Sequence, residues 1–150
     1  GLAREGIAQE NVNVVVLTHS HPDHALLAGM FEQAVVLDDT SVYSWDGGIV
    51  AHDGKIPGTD ITILKTPGHE NFHCAVVFKT PKDGTVAVVG DVFWWYDNET
   101  PDYGRSALIE KPDPYEKDRG LLRESRKVVL DLADLVIPGH GRPFSVKNDA

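Results

Sequence analysis

The protein has 150 residues, 41% of them hydrophobic, and 23 acidic against 14 basic side chains give a formal net charge of −9. That length is one domain or a large piece of one, with apolar content enough for a core, and its apolar runs fall far short of the ~20 residues of a membrane-spanning helix. The acidic balance disfavours nucleic acid and anionic membranes, which bind basic surfaces, and the single cysteine, Cys74, excludes an internal disulfide and a Cys-rich zinc ribbon. No secretory signal pattern is read in this chain, so a cytoplasmic location is expected.

In chain order, residues 1–9 have weak amphipathic helix spacing. Residues 12–17 are β-branched and apolar and predict a buried strand. Pro22 suits a first helical turn, and residues 23–31 continue as a short helix. Residues 34–37 read as a strand, and 42–45 and 49–51 as a hairpin around Asp46-Gly47-Gly48. Strands follow at 61–65, 73–79 and 86–89, with turns at Pro67-Gly68 and at 81–84. Residues 92–120, polar and broken by Pro101, Pro112 and Pro114, read mainly as loop. Residues 116–132 predict an amphipathic helix, and 135–137 a last strand. The pattern is that of two sheets with helices outside, an α/β sandwich.

Seven histidines are the outlier in composition. The sharpest motif is His19-Ser20-His21-Pro22-Asp23-His24, directly after the first strand. On extended backbone, residues two apart point the same way, so His19 and His21 can converge on one cation. The helix start then turns Asp23 and His24 toward a neighbouring point. Three imidazoles and a carboxylate suit a borderline divalent metal such as zinc. His69, in Thr66-Pro67-Gly68-His69, Asp91 after Gly90, and His140, in Pro138-Gly139-His140-Gly141, each follow a predicted strand beside a glycine.

This series, His19-x-His21-x-Asp23-His24, then His69, Gly90-Asp91 and Gly139-His140, resembles that of the metallo-β-lactamase-fold hydrolases. The segments Gly90-Asp91-Val92-Phe93, Glu124-Ser125-Arg126-Lys127-Val128-Val129-Leu130, Ala133-Asp134 and Pro138-Gly139-His140-Gly141-Arg142-Pro143-Phe144 resemble more narrowly the metallo-β-lactamase domain-containing protein 1 group. The resemblance implies an αββα sandwich in a single domain over residues 1–150. It implies two divalent metal ions, zinc first, with Fe, Mn, Co or Ni compatible: His19, His21 and His69 on one, Asp23, His24 and His140 on the other, Asp91 bridging. A metal-bridging hydroxide would attack a small ester, thioester, lactone or related substrate, with Asp23 and Asp91 the catalytic carboxylates. The alternatives in the same fold are a phosphodiesterase or ribonuclease with the same two-metal site, and a mononuclear iron sulfur dioxygenase. The family domain normally begins with further strands, so a homodimer, or completion of the sheet by a missing N-terminal segment, is expected.

Trp94, Trp95, Arg142 and His73 are candidate pocket residues. In an extended Phe93-Trp94-Trp95-Tyr96, adjacent rings face opposite sides, so at most two pack into one core. Arg142 is a candidate contact for an anionic substrate, and His73 for a supporting or pocket group. Lys117, Arg119, Arg123, Arg126 and Lys127 read as a solvated helix face, and Cys74 as a small buried residue.

Overall fold

The computed structural model describes residues 2–146. Gly1, inside the weak helix expectation, and residues 147–150 lie outside it. Four short strands, β1 (Val14–Val16), β2 (Val35–Leu37), β3 (Ser41–Tyr43) and β4 (Ile49–Ala51), form a first sheet in that order. β1 and β2 run parallel, Val14 opposite Val35, and the other pairs are antiparallel. A second sheet holds β5 (Thr62–Lys65), β6 (Cys74–Thr80), β7 (Gly84–Val88), β8 (Leu135–Ile137) and β9 (Phe144–Ser145), also in chain order. Only β7 and β8 are parallel there. The helices are α1 (Pro22–Ala25), α2 (Arg105–Glu110) and α3 (Arg119–Leu132).

Strand alternation builds two cores from the second sheet. On β5 and β6, Ile63, Cys74 and Val76 point toward Leu37, Val14, Val16 and Val42 of the first sheet. Their neighbours Leu64, Ala75 and Val77 point the other way, toward Leu122, Val129 and Leu130 of α3. The layering is therefore sheet on sheet with α3 against the far face, the α/β sandwich expected. Among the described residues, no helix is long and apolar enough to cross a membrane.

α3 starts where Asp118 caps it, its side chain accepting the Leu121 N–H at 2.9 Å. Its inward face is Leu122, Ser125, Arg126, Val129 and Leu130, spaced at helical period. Arg126 thus corrects the solvated-face reading: it is 1% exposed and donates to the carbonyls of Val92, Ile109 and Lys111. Burial lowers its pKa to about 10. Lys127, on the other face, pairs with Glu124.

Other differences are local. Residues 1–9 make no continuous helix; two short 3-10 turns, Leu2–Glu5 and Gln9–Asn11, flank Gly6 at φ +71° and bury no side chain. The 23–31 helix is one α turn followed by a 3-10 segment, Leu26–Met30. α2 lies inside the stretch read as loop and buries only Leu108. It stops at Lys111, which Pro112 forces out of helical geometry (φ −48°, ψ 123°). β9 has two residues and was not expected; Phe144 faces Val136.

Candidate metal centre

The C-terminal ends of β1, β5, β7 and β8 all open on one edge of the sandwich, and the four histidine and aspartate motifs sit just beyond them. His19 and His21 follow β1, and Pro22 starts α1 at its first position, which swings Asp23 and His24 inward. His69 lies in the turn after β5. Its neighbour Gly68 has φ +131°, and a Cβ there would lie 2.2 Å from the Leu122 amide. Only glycine lets α3 come down on this turn, where the Gly68 carbonyl accepts the Lys117 and Asp118 N–H groups. Asp91 sits in a 3-10 turn after β7, and His140 after β8.

All seven residues expected to bind metal converge, in two groups: His19, His21, His69 and Asp91; and Asp23, His24 and His140. In the first, His69 Nε2 is 3.2 Å from His21 Nδ1 and 3.5 Å from Asp91 Oδ2, and His19 Nε2 is 3.8 Å from the same oxygen. In the second, His140 Nε2 is 3.0 Å from Asp23 Oδ2 and 3.2 Å from His24 Nε2. Asp91 Oδ1 faces this group, 3.2 Å from His24 Nε2 and 3.9 Å from His140 Nε2. One carboxylate therefore presents one oxygen to each cluster.

The electrostatics fit cations. Burial is the main reason the His19 pKa falls to about 4, with the neighbouring His24, His69 and His21 adding to it against Asp91; neutral imidazole is the ligating form. Burial raises the Asp91 carboxyl, but His24, His19 and His69 outweigh it and hold the pKa below the ordinary value. His24 is raised, chiefly by the Asp91 carboxylate. His19 Nε2 and Asp91 Oδ1 are buried and, among the described residues, have no hydrogen-bond partner of their own. Buried polar atoms are rarely left so, and a metal ion satisfies both. A nitrogen and carboxylate donor set without thiolate suits Zn and its first-row neighbours.

The sequence reading missed two carboxylates. Asp113 Oδ2 accepts the His69 Nδ1–H at 2.7 Å, and Glu70 Oε1 accepts the His21 Nε2–H at 3.0 Å. Burial raises the Asp113 carboxyl, but its bonds from His69 and the Tyr115 amide hold it low. A carboxylate between Pro112 and Pro114, on a stretch too stiff to drift, was the available signal for Asp113.

A pocket of about 530 Å³ opens beside both clusters, lined by His21, Pro22, Asp23, Asp91, His140, Trp94, Trp95, Tyr96, Asp97 and Tyr115. The aromatic run alternates as extended chain requires. Phe93 and Trp95 stack on one side, 6.4 Å between ring centroids and 11° apart, and join the core. Trp94 packs edge-on to Tyr96 at 4.9 Å and lies 5.8 Å from Tyr115 on the other. Tyr96, Asp97 and Tyr115 are additions to the expected lining. Two candidates do not line it. Arg142 is exposed and outside the pocket wall. His73 is 1% exposed beneath the site, stacked on His19 at 5.0 Å, with Nδ1 2.8 Å from Thr66 Oγ1. Burial lowers its pKa to about 3, so it stays neutral as a support under His19.

Sandwich and clustered ligands together define a metallo-β-lactamase-type protein, and residues 2–43 match the family model of the metallo-beta-lactamase superfamily. The chain belongs to that superfamily. It is 36% identical over 151 residues to mouse metallo-beta-lactamase domain-containing protein 1, covering 97% of this chain and 54% of the relative. The protein of the same name from Xenopus laevis is 32% identical over 97% of this chain and 60% of its own length. The chain thus spans 54–60% of these relatives. Among solved structures, an archaeal metallo-beta-lactamase superfamily protein from Sulfolobus tokodaii superposes at TM-score 0.60 with 22% identity, covering 89% of this chain and 63% of that one. AidC, a dizinc quorum-quenching lactonase, does so at TM-score 0.60 with 14% identity, over 87% and 56%. These two establish the shared fold.

Proposed function

We propose that the chain carries the active site of a dinuclear metallohydrolase. His19, His21 and His69 hold one cation, Asp23, His24 and His140 a second, and Asp91 joins them. The observation that supports this is Asp91 itself, with Oδ2 turned to the first cluster and Oδ1 to the second. Divalent ions bound there, zinc first, supply a water ionised near neutral pH and polarise the bond to be split. Asp23, 57% exposed and lining the pocket, is placed to accept a proton on the carboxylate oxygen not turned to His140. Trp94, Trp95 and Tyr115 wall the pocket, orient an apolar substrate and exclude water from the far side.

The substrate class proposed is a small ester, thioester or lactone. The pocket volume suits a small molecule, and among the described residues no Lys or Arg lines it to meet a phosphodiester. Comparing an ester, thioester and lactone panel with bis(p-nitrophenyl) phosphate and a short RNA tests this. Turnover confined to the panel is expected; faster turnover of the phosphodiesters contradicts it. For the assembly we propose a second copy at β1, among the described residues an edge strand of the first sheet; Leu26 and Leu27, later in the chain, are exposed. Light scattering should then give the mass of two chains, and a single-chain mass contradicts the pairing.

A further inference from the structure

We infer that the two metal positions fill in order, the His19–His21–His69 position first and the Asp23–His24–His140 position second and more weakly, because Asp113 and Glu70 position the ligands of the first alone. The inference rests on the two-metal reading above and adds its order and cause.

The first cluster is set before any cation arrives. A carboxylate on the far nitrogen of a ligating histidine fixes its tautomer and orientation and raises its basicity. Asp113 does this for His69, and both side chains are almost fully buried, 0% and 1% exposed. Asp113 cannot swing away, since its Oδ1 accepts the Tyr115 N–H at 3.0 Å. Glu70 does the same for His21 and is itself faced by Lys117 Nζ at 3.5 Å. His19 has Nδ1 3.1 Å from Thr18 Oγ1 and rests on the His73 ring, which Thr66 pins.

The second cluster has none of this. The Asp23 and His140 side chains are 57% and 45% exposed. Among the described residues, neither the His24 ring nor the His140 ring has a hydrogen bond to a residue outside the metal-facing groups. Binding there must freeze mobile side chains and displace water, at a conformational cost the first position has already met in folding. Loss of one supporting partner costs about 10–100-fold in metal affinity, so two carboxylates separate the positions by at least about 100-fold.

The test is a titration of the metal-free full chain with Zn(II) against a competing chelator, repeated with Co(II) followed by its visible absorption. Two steps at least about 100-fold apart are expected. Asp113→Asn and Glu70→Gln should each weaken the first step about 10–100-fold, leave the second in place and shift the Co(II) bands of the first. Asp113→Glu should recover part of the loss, and His140→Ala should keep the first step and lose the second. Should Asp113→Asn fail to fold, Glu70→Gln, at a partly exposed side chain, decides alone. Two equal steps in the wild type, or a first step that neither Asn nor Gln alters, overturns the order while leaving the two-metal reading intact. Saturation below two ions per chain overturns the two-metal reading, and the order with it.

Discussion

Gly139 passes so close to Asp91 that a Cβ at 139 would stand 2.0 Å from Oδ1, the oxygen turned to His24 and His140. The glycine before His140 is thus a requirement of the carboxylate in the turn after β7. Gly139→Ala must push Asp91 off its place between the clusters. It should lower metal affinity about 10–100-fold, as loss of a supporting group does, and equilibrium dialysis measures it. Unchanged affinity would show that Asp91 has room the structure does not give it.

The aromatic wall should govern substrate binding and leave metal binding alone. Tyr115→Ala removes one ring packed on Trp94. Aromatic contacts of this kind contribute about 0.5–1.5 kcal/mol, so KM should rise about 2–10-fold with metal content and kcat near wild type. A fall in kcat at constant KM would move Tyr115 from the wall to the chemistry.

Arg126 should be worth much more to the fold than a surface arginine. Arg126→Leu leaves the buried carbonyl of Val92 and the partly buried carbonyls of Ile109 and Lys111 without this donor. A buried acceptor left unmet costs about 1–3 kcal/mol, so urea unfolding should report a loss of at least about 1 kcal/mol from Val92 alone. A loss below about 0.5 kcal/mol, the range of ordinary surface changes, would return Arg126 to the solvated face.

Asp38 supplies a pH dependence outside the metal site. Burial raises its carboxyl, but bonds from Tyr43, Thr40 and Ser41 outweigh that and hold the pKa below the ordinary value. With the folded pKa depressed, its stabilisation is complete above an unfolded pKa of about 3.9 and is lost as pH falls through the folded value. Asp38→Asn should cost about 1 kcal/mol at pH 7, a figure reduced for its exposure. Below about pH 4 the variant and wild type should converge in urea unfolding; a constant gap down to pH 2 would contradict the assignment.

The metal ligands were legible because they follow strand ends at short, local spacing: β-branched runs mark the strands, and each ligand comes within a few residues of one. The sandwich was legible for the same reason, since runs such as 61–65 and 73–79 bury both faces. The supports were not, because the partners of Asp113 and His69 are 44 residues apart and meet only when α3 lands on Gly68. Arg126 was misassigned by its charge, although it shares helical spacing with Leu122 and Val129. Arg142 was placed by its nearness in sequence to His140, but the chain turns it outward. Two-residue β9 and six-residue α2 carry too little pattern to be seen without the tertiary contacts that form them.

The proposed hydrolysis depends on metal ions held by these seven residues. The most direct test strips the purified protein with a chelator, counts metal by elemental analysis, and follows ester and lactone turnover as Zn(II) is restored. No turnover is expected in the metal-free protein, with full recovery as occupancy reaches two ions per chain. Turnover that persists in protein shown to be free of metal would contradict that dependence.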